Sequence, residues 1–390
     1  MDPADYTPSL PDALLALGRL DGALVMAERT TQRLFATRLL RDLLIGALRQ
    51  EGHAFTDERF HAWFAGATTL SDEPTRAARP PRSLCEAILT ELTHSSWDLL
   101  AEAATRFQPA LLAPADLVDS SPTCLTAHQD ALSVIAAAHD LIAKLDSCPN
   151  PLAGLAQLHR AAAGHVLFAP TERAPEPFVI GTMRLTGEPM ALPAPRWALE
   201  LLWGEHWHKA GLLAHALPLP RIIRLDAMRI AAVSDFDEHD TTREIFAATL
   251  CDVAQNLYSG IGEAGLLVRR LTACQPGKRR TSRAPALLEL LAAFGPLRSG
   301  QLETLLGVSR LGIRTMLGEL ERISVLECTS LAGLRLYGVN LKSRPAWDVA
   351  EVGMVSAFST ASLEEYESAM ADIDALLARR GVSFNDVDAT

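Results

Sequence analysis

The apolar positions of this chain recur mostly at helical spacing. Leu14, Leu15, Leu17, Leu20, Leu24 and Val25, then Leu34, Phe35, Leu39, Leu40, Leu43, Leu44 and Leu48, fall three and four residues apart with Arg and Gln between them. That spacing predicts a helical pair over 12–51. A short helix over 56–64 follows, with Thr56 or Asp57 as its cap. Pro74, Pro80 and Pro81 make 68–83 a loop, and helical periodicity returns over 83–107, 124–145 and 152–163. The texture then changes. Prolines at 170, 175, 177, 189, 193 and 195 exclude a long helix across 165–197, where Phe178, Val179, Ile180, Met183 and Leu185 predict short extended pieces. A helix over 197–215, an irregular element over 217–233 and a long helix over 241–271 follow. Thr241 and Glu244 announce the last of these as a capping box.

Beyond Cys274 the pattern tightens. Helices are predicted over 286–294, 299–306 and from 310 to 323, separated by a Gly295-Pro296 turn and by the turn Gly307-Val308-Ser309. Leu302, Leu305, Leu306, Ile313, Leu317 and Leu320 share an inward apolar face, while Arg310 and Arg314 stand one turn apart on the other. Strand candidates at 325–327 and 334–339 meet at Ala332-Gly333, as a hairpin would. Three helices and a two-stranded wing outline a winged helix-turn-helix over 285–344. The polar, basic stretch 274–284 reads as its linker and 345–390 as a tail holding an amphipathic helix. The predicted chain is therefore mainly α: a helical domain over 1–273 with an irregular, short-strand insertion, then the linker, the winged helix-turn-helix and the tail.

Charge changes the meaning of that outline. The 390 residues carry a formal charge of −11, which argues against a polyanionic partner. The average hides a segregation, because between Gln275 and Arg344 eleven Lys or Arg face five Glu. That window stands at +6 and the remainder at −17. A basic module in an acidic protein is the asymmetry expected when one part touches phosphate. The 48% apolar content is that of a globular protein, with no run long enough for a membrane span. Asp2, Pro3, Ala4 and Asp5 stand where a targeting segment would be basic, which favours a cytoplasmic location. The six cysteines are scattered singly, without C-x-x-C spacing, against a thiolate metal site or a disulfide framework.

The chemistry this outline predicts is sequence-specific recognition of double-stranded DNA: a helix of about 12 Å diameter fills the major groove, and residues at its start meet base edges. Those residues are Ser309, Arg310, Arg314 and Thr315. Arg335 of the wing, and Lys278, Arg279, Arg280 and Arg283 of the linker, would take phosphates. A homodimer is expected, since one small module buries little surface and two-fold operators mirror two-fold proteins. The alternative for the same fold is protein contact. No catalytic residue, metal ligand or cofactor is assigned.

The helix-turn-helix at 299–323, with the opening Leu17-Gly18-Arg19-Leu20-Asp21-Gly22, resembles an uncharacterised family found largely on plasmids of plant-associated alphaproteobacteria, in which a domain of unknown function precedes a DNA-binding helix-turn-helix. The resemblance implies a transcriptional regulator or plasmid-maintenance factor, its N-terminal domain dimerising or sensing. The same opening is similar to Fic-type AMP transferases, which implies as an alternative a nucleotidyl transferase relative with an accessory winged helix. The Fic signature of His, Pro-Phe, an acidic residue and Gly-Asn-Gly-Arg is absent; His165-Val166-Leu167-Phe168 begins similarly, but Ala169-Pro170-Thr171 replaces the acidic and glycine positions. Three other clusters have plainer readings. Trp203, His206, Trp207 and His208 read as a packed aromatic face, the acids at 235, 237, 238 and 240 as helix capping, and Ser259 to Gly265 as an interruption of a helix rather than a phosphate loop.

Overall fold

Ser9 opens the first helix, its amide donating to Asp12 Oδ2 at 2.9 Å, and the apolar spacing carries that helix, α1 (Leu10–Met26), into α2 (Arg29–Gln50) after a two-residue break. In this computed structural model the described residues are 8–67, 79–114, 123–146, 148–170, 172–173, 177–180, 183–186, 190–191, 194–233, 240–273, 283–322, 324–331 and 333–340. They form a mainly helical structure. Thr56 caps α3 (Asp57–Phe64) by accepting from the Arg59 amide at 3.3 Å. Helices α4 (Pro81–Leu92), α5 (Asp98–Phe107), α6 (Thr123–Ala143) and α7 (Pro151–Ala163) follow. Asn150 caps the last through the amides of Leu152 and Ala153.

The proline-rich stretch forms two short antiparallel pairs. β1 (Glu172–Arg173) pairs with β4 (Met190–Ala191), and β2 (Pro177–Ile180) with β3 (Met183–Thr186). Then come α8 (Trp197–Lys209), α9 (Leu225–Val233), α10 (Asp240–Ala273), α11 (Ala284–Phe294), β5 (Leu297–Arg298), α12 (Ser299–Leu306), α13 (Arg310–Arg322), β6 (Leu326–Leu331) and β7 (Leu334–Val339). The last three strands form an antiparallel sheet in the order β5-β7-β6. Helix α2 is the hub, packed on α4, α5, α8, α10 and α11. Among the described residues no helix is long and apolar enough to cross a membrane.

Four expectations change. The irregular element at 217–233 contains α9, whose buried Ala227, Met228 and Ala231 form too short a stripe to outweigh Pro218 and Pro220 in a sequence reading. Helix α8 stops at Lys209, short of 215, where Gly211 turns the chain at φ 75°. Helix α10 runs unbroken through Gly260, Gly262 and Gly265; a Cβ at Gly260 would stand 3.2 Å from the Phe35 ring, and one at Gly265 3.8 Å from Thr31, so these glycines admit α2 closely. Strand β6 extends to Leu331, beyond 327, because Cys328 to Leu331 pair with β7, although Cys328, Thr329 and Ser330 are exposed and carry no apolar alternation to announce it. Trp203 and Trp207 are core residues, with His206 stacked on Trp203 at 4.6 Å. Most of the acidic run at 235–240, residues 274–282 of the predicted linker and the predicted tail lie outside the described residues.

The basic C-terminal segment shares the core of the helical part. Phe294, at the end of α11, stacks on Phe107 with centroids 4.1 Å apart and touches Phe64 and Phe60 at 5.0 and 6.1 Å. His61 meets it edge-on at 5.7 Å. Gly295 follows at φ 110°, where a Cβ would stand 2.5 Å from the His61 ring. On α12, fully buried Gln301 donates to the carbonyls of Ala110 and Phe64 at 2.8 and 3.2 Å and accepts from the Arg298 amide at 2.9 Å. On β7, Leu336 packs with Ala62, Ala65 and Ala67 around the end of α3.

Two predictions follow from these buried polar groups. Gln301→Leu leaves two carbonyls and an amide unpaired and should lower the stability measured by urea unfolding by roughly 1–3 kcal/mol. Burial holds His61 and His159 neutral, lowering each pKa from 6.5 to about 4. As pH falls from 6.5 towards 4 the unfolded chain takes up protons that the folded chain refuses, so stability falls. Burial raises the Glu200 pKa from 4.5 to about 7, so its contribution runs the other way and offsets one histidine. The net effect of acidification is a loss of about 2 kcal/mol, seen as a falling thermal midpoint from pH 7 to 4.5, and steeper in Glu200→Gln.

Candidate nucleic-acid interface

Helices α12 and α13 meet through a turn that needs a left-handed residue. Gly307 supplies it at φ 57°, closing α12 with its amide on the Glu303 carbonyl. Arg283 reinforces that end by donating from Nη1 to the Leu306 carbonyl. Ser309 then opens α13: its carbonyl accepts from the Ile313 amide at 3.0 Å, and its Oγ from the Gly312 amide at 3.4 Å. The apolar stripe Ile313, Leu317 and Leu320 is buried. Since α13 packs chiefly on α12 and β6, its opposite face is left to solvent.

That face carries Arg310, Leu311, Arg314, Thr315 and Arg322, all exposed. Arg310 and Arg314, about 6 Å apart along the axis, hold no hydrogen bond or ion pair among the described residues. Thr315 bonds back to the Leu311 carbonyl at 3.0 Å. Arg335 lies on the face of β7 that looks towards α13, with Nε 3.0 Å from Cys328 Sγ, Nη2 3.8 Å from Glu321 and its guanidinium 5.7 Å from the centre of the Tyr337 ring. Burial raises the Tyr337 pKa.

The residues singled out in the sequence thus divide. Arg310, Arg314 and Thr315 share one exposed face; Ser309 and Arg283 are used as helix caps; Arg335 is held over the sheet; Lys278, Arg279 and Arg280 lie outside the described residues. Leu311, 73% exposed between the two arginines, was missed. Its signal was present, because it stands off the Ile313-Leu317-Leu320 stripe. His165, the residue of the Fic-like alternative, lies in the turn after α7, where its Nδ1 accepts from the Leu167 amide at 3.3 Å and its ring stacks on Phe168.

Removing the Arg283 side chain should cost about 1 kcal/mol of stability through the lost bonds to the α12 carbonyls, read as a lowered urea midpoint in Arg283→Ala. No protein-family model matches the chain, and no curated protein matches it significantly.

Proposed function

We propose that residues 285–344 are a winged helix-turn-helix that binds double-stranded DNA sequence-specifically, as part of a transcriptional regulator or plasmid-maintenance factor. The observation that carries this reading is the outward face of α13, where Arg310 and Arg314 stand exposed, without a partner among the described residues, at the start of a helix whose other face is buried. In this reading α13 enters the major groove. The two guanidinium groups take guanine edges or phosphates, and Leu311 offers an apolar contact to a thymine methyl. The charge segregation supports the same partner, since the basic window of +6 sits in a chain of −11.

The helical part dimerises the protein. Helix α1 exposes Leu10, Leu14, Leu15, Val25 and Met26, apolar side chains that a second copy of the chain would cover. A protein partner for α13 is the second reading, favoured by the exposure of Leu311. Salt separates the two, because phosphate contacts make affinity fall steeply with ionic strength.

Selection of duplexes from a random pool supplies the binding site, and fluorescence anisotropy on it measures affinity. Arg310→Ala and Arg314→Ala should each weaken binding by about 1–3 kcal/mol if they read bases. Unchanged affinity in both variants would refute α13 as the recognition helix. Leu14→Arg should shift the protein from dimer to monomer in sedimentation equilibrium, whereas an unaltered mass would remove α1 from the interface.

A further inference from the structure

Helix α1 is apolar on both of its sides. Ala13, Ala16, Leu17, Leu20 and Leu24 are buried where the helix packs along α10, and a helix that buries one stripe ordinarily turns polar residues to the other side. Here the other side carries Leu14, Leu15, Val25 and Met26, which are 42%, 52%, 48% and 83% exposed. Between them stand Gly18 and Gly22, both exposed. A Cβ at either glycine would meet nothing within 4 Å, so no contact within the chain accounts for two residues that weaken a helix interior.

The order of these residues says what covers them. Two rows run along the outward side, Leu14-Gly18-Asp21-Val25 and Leu15-Arg19-Gly22-Met26, each spaced by four, three and four residues. The rows match position for position, offset by a single residue, and each carries two apolar side chains, one glycine and one charge of sign opposite to the other's. A surface built this way is complementary to itself. Arg19 is exposed and makes no hydrogen bond or ion pair among the described residues. Asp21 is half-buried, its Oδ1 accepting from the Ala214 amide at 2.8 Å, which fixes the carboxylate at the edge of the face.

Charge selects the direction in which two such faces meet. A two-fold axis parallel to the helices lays the first row of one copy on the second row of the other, so Arg19 of each copy reaches Asp21 of its partner. An axis perpendicular to the helices lays each row on its own counterpart, which brings arginine to arginine and aspartate to aspartate. Like charges held close oppose association.

We infer that α1 pairs in parallel with α1 of a second copy of this chain, Leu14 lying on Leu15, Val25 on Met26 and Arg19 on Asp21 across the two-fold axis. The two glycines remove side chains from the seam, so the backbones approach closely and each arginine stem lies over a glycine. This pairing rests on the dimerisation proposed above and adds its orientation and its polar contact.

Sedimentation equilibrium of the full chain without DNA tests it. Arg19→Glu and Asp21→Arg each bring like charges together in the parallel pair and should each weaken the dimer about tenfold. Combined in one chain they restore opposite charges, and the dissociation constant should return to within about threefold of wild type. Asp21→Arg also gives up the Ala214 amide, so its thermal midpoint is read alongside, and Arg19→Glu carries the test without that loss. Gly18→Gln puts a long side chain on the seam and should weaken the dimer by at least about tenfold while raising the thermal midpoint of the diluted monomer through helix propensity; damage to the fold does not give that combination. Unchanged association in both single charge variants, or a folded double variant that associates no better than they do, would overturn the parallel pairing, and α1 would remain the interface if Leu14→Arg still dissociated the chain. A wild-type chain that stays monomeric, or a dimer indifferent to Leu14→Arg, would overturn both the pairing and the dimerisation on which it rests.

Discussion

The aromatic cluster around Phe294 joins the basic end of the chain to the acidic helical body. A ring stacked 4.1 Å from Phe107 and touching Phe60 and Phe64 removes a large apolar area from water. It does so across a sequence separation that no local pattern spans. Gln301 adds direction to this apolar contact, because its amide satisfies two carbonyls of the body only in one register of α12. The place of α13, and hence the direction in which Arg310 and Arg314 point, follows from that register.

Helix α2 has a related role at a larger scale. Near its start Arg33 bonds to Glu289 of α11 at 2.6 Å, and its later residues line a cleft with Arg196 and Glu200. One rigid element thus borders both the cleft and the basic segment. Its buried positions run from Thr31 to Leu48, so neither end moves without repacking the core.

Much of this was legible in the sequence because helices announce themselves by period. The bounds of α2, α3, α7, α12 and α13 fall within a few residues of the apolar spacing, and Thr56 caps where expected. What was not legible depends on partners distant in the chain. Gly260 and Gly265 look like helix breakers until Phe35 and Thr31 of α2 are placed beside them. Arg283 looks like a phosphate ligand until its guanidinium is found on the α12 carbonyls. The continuous core was hidden for a similar reason: the rings that meet Phe294 lie about two hundred residues away, while the charge segregation marks 285–344 as separate. The hydrogen bond of Gln50 to Glu200 had no sequence signal, because α2 and α8 are far apart along the chain.

The contact of Gly295 with His61 has a consequence for how the sequence can change. The imidazole occupies the space in which any other residue at 295 would place its Cβ, only 2.5 Å from ring atoms, and the backbone there has a φ of 110° that L side chains avoid. A side chain gained at 295 therefore requires both a shorter residue at 61 and a different turn into β5. Positions 61 and 295 are one unit of inheritance: relatives that retain this joint should keep the glycine wherever they keep a ring opposite it, and lose the two together.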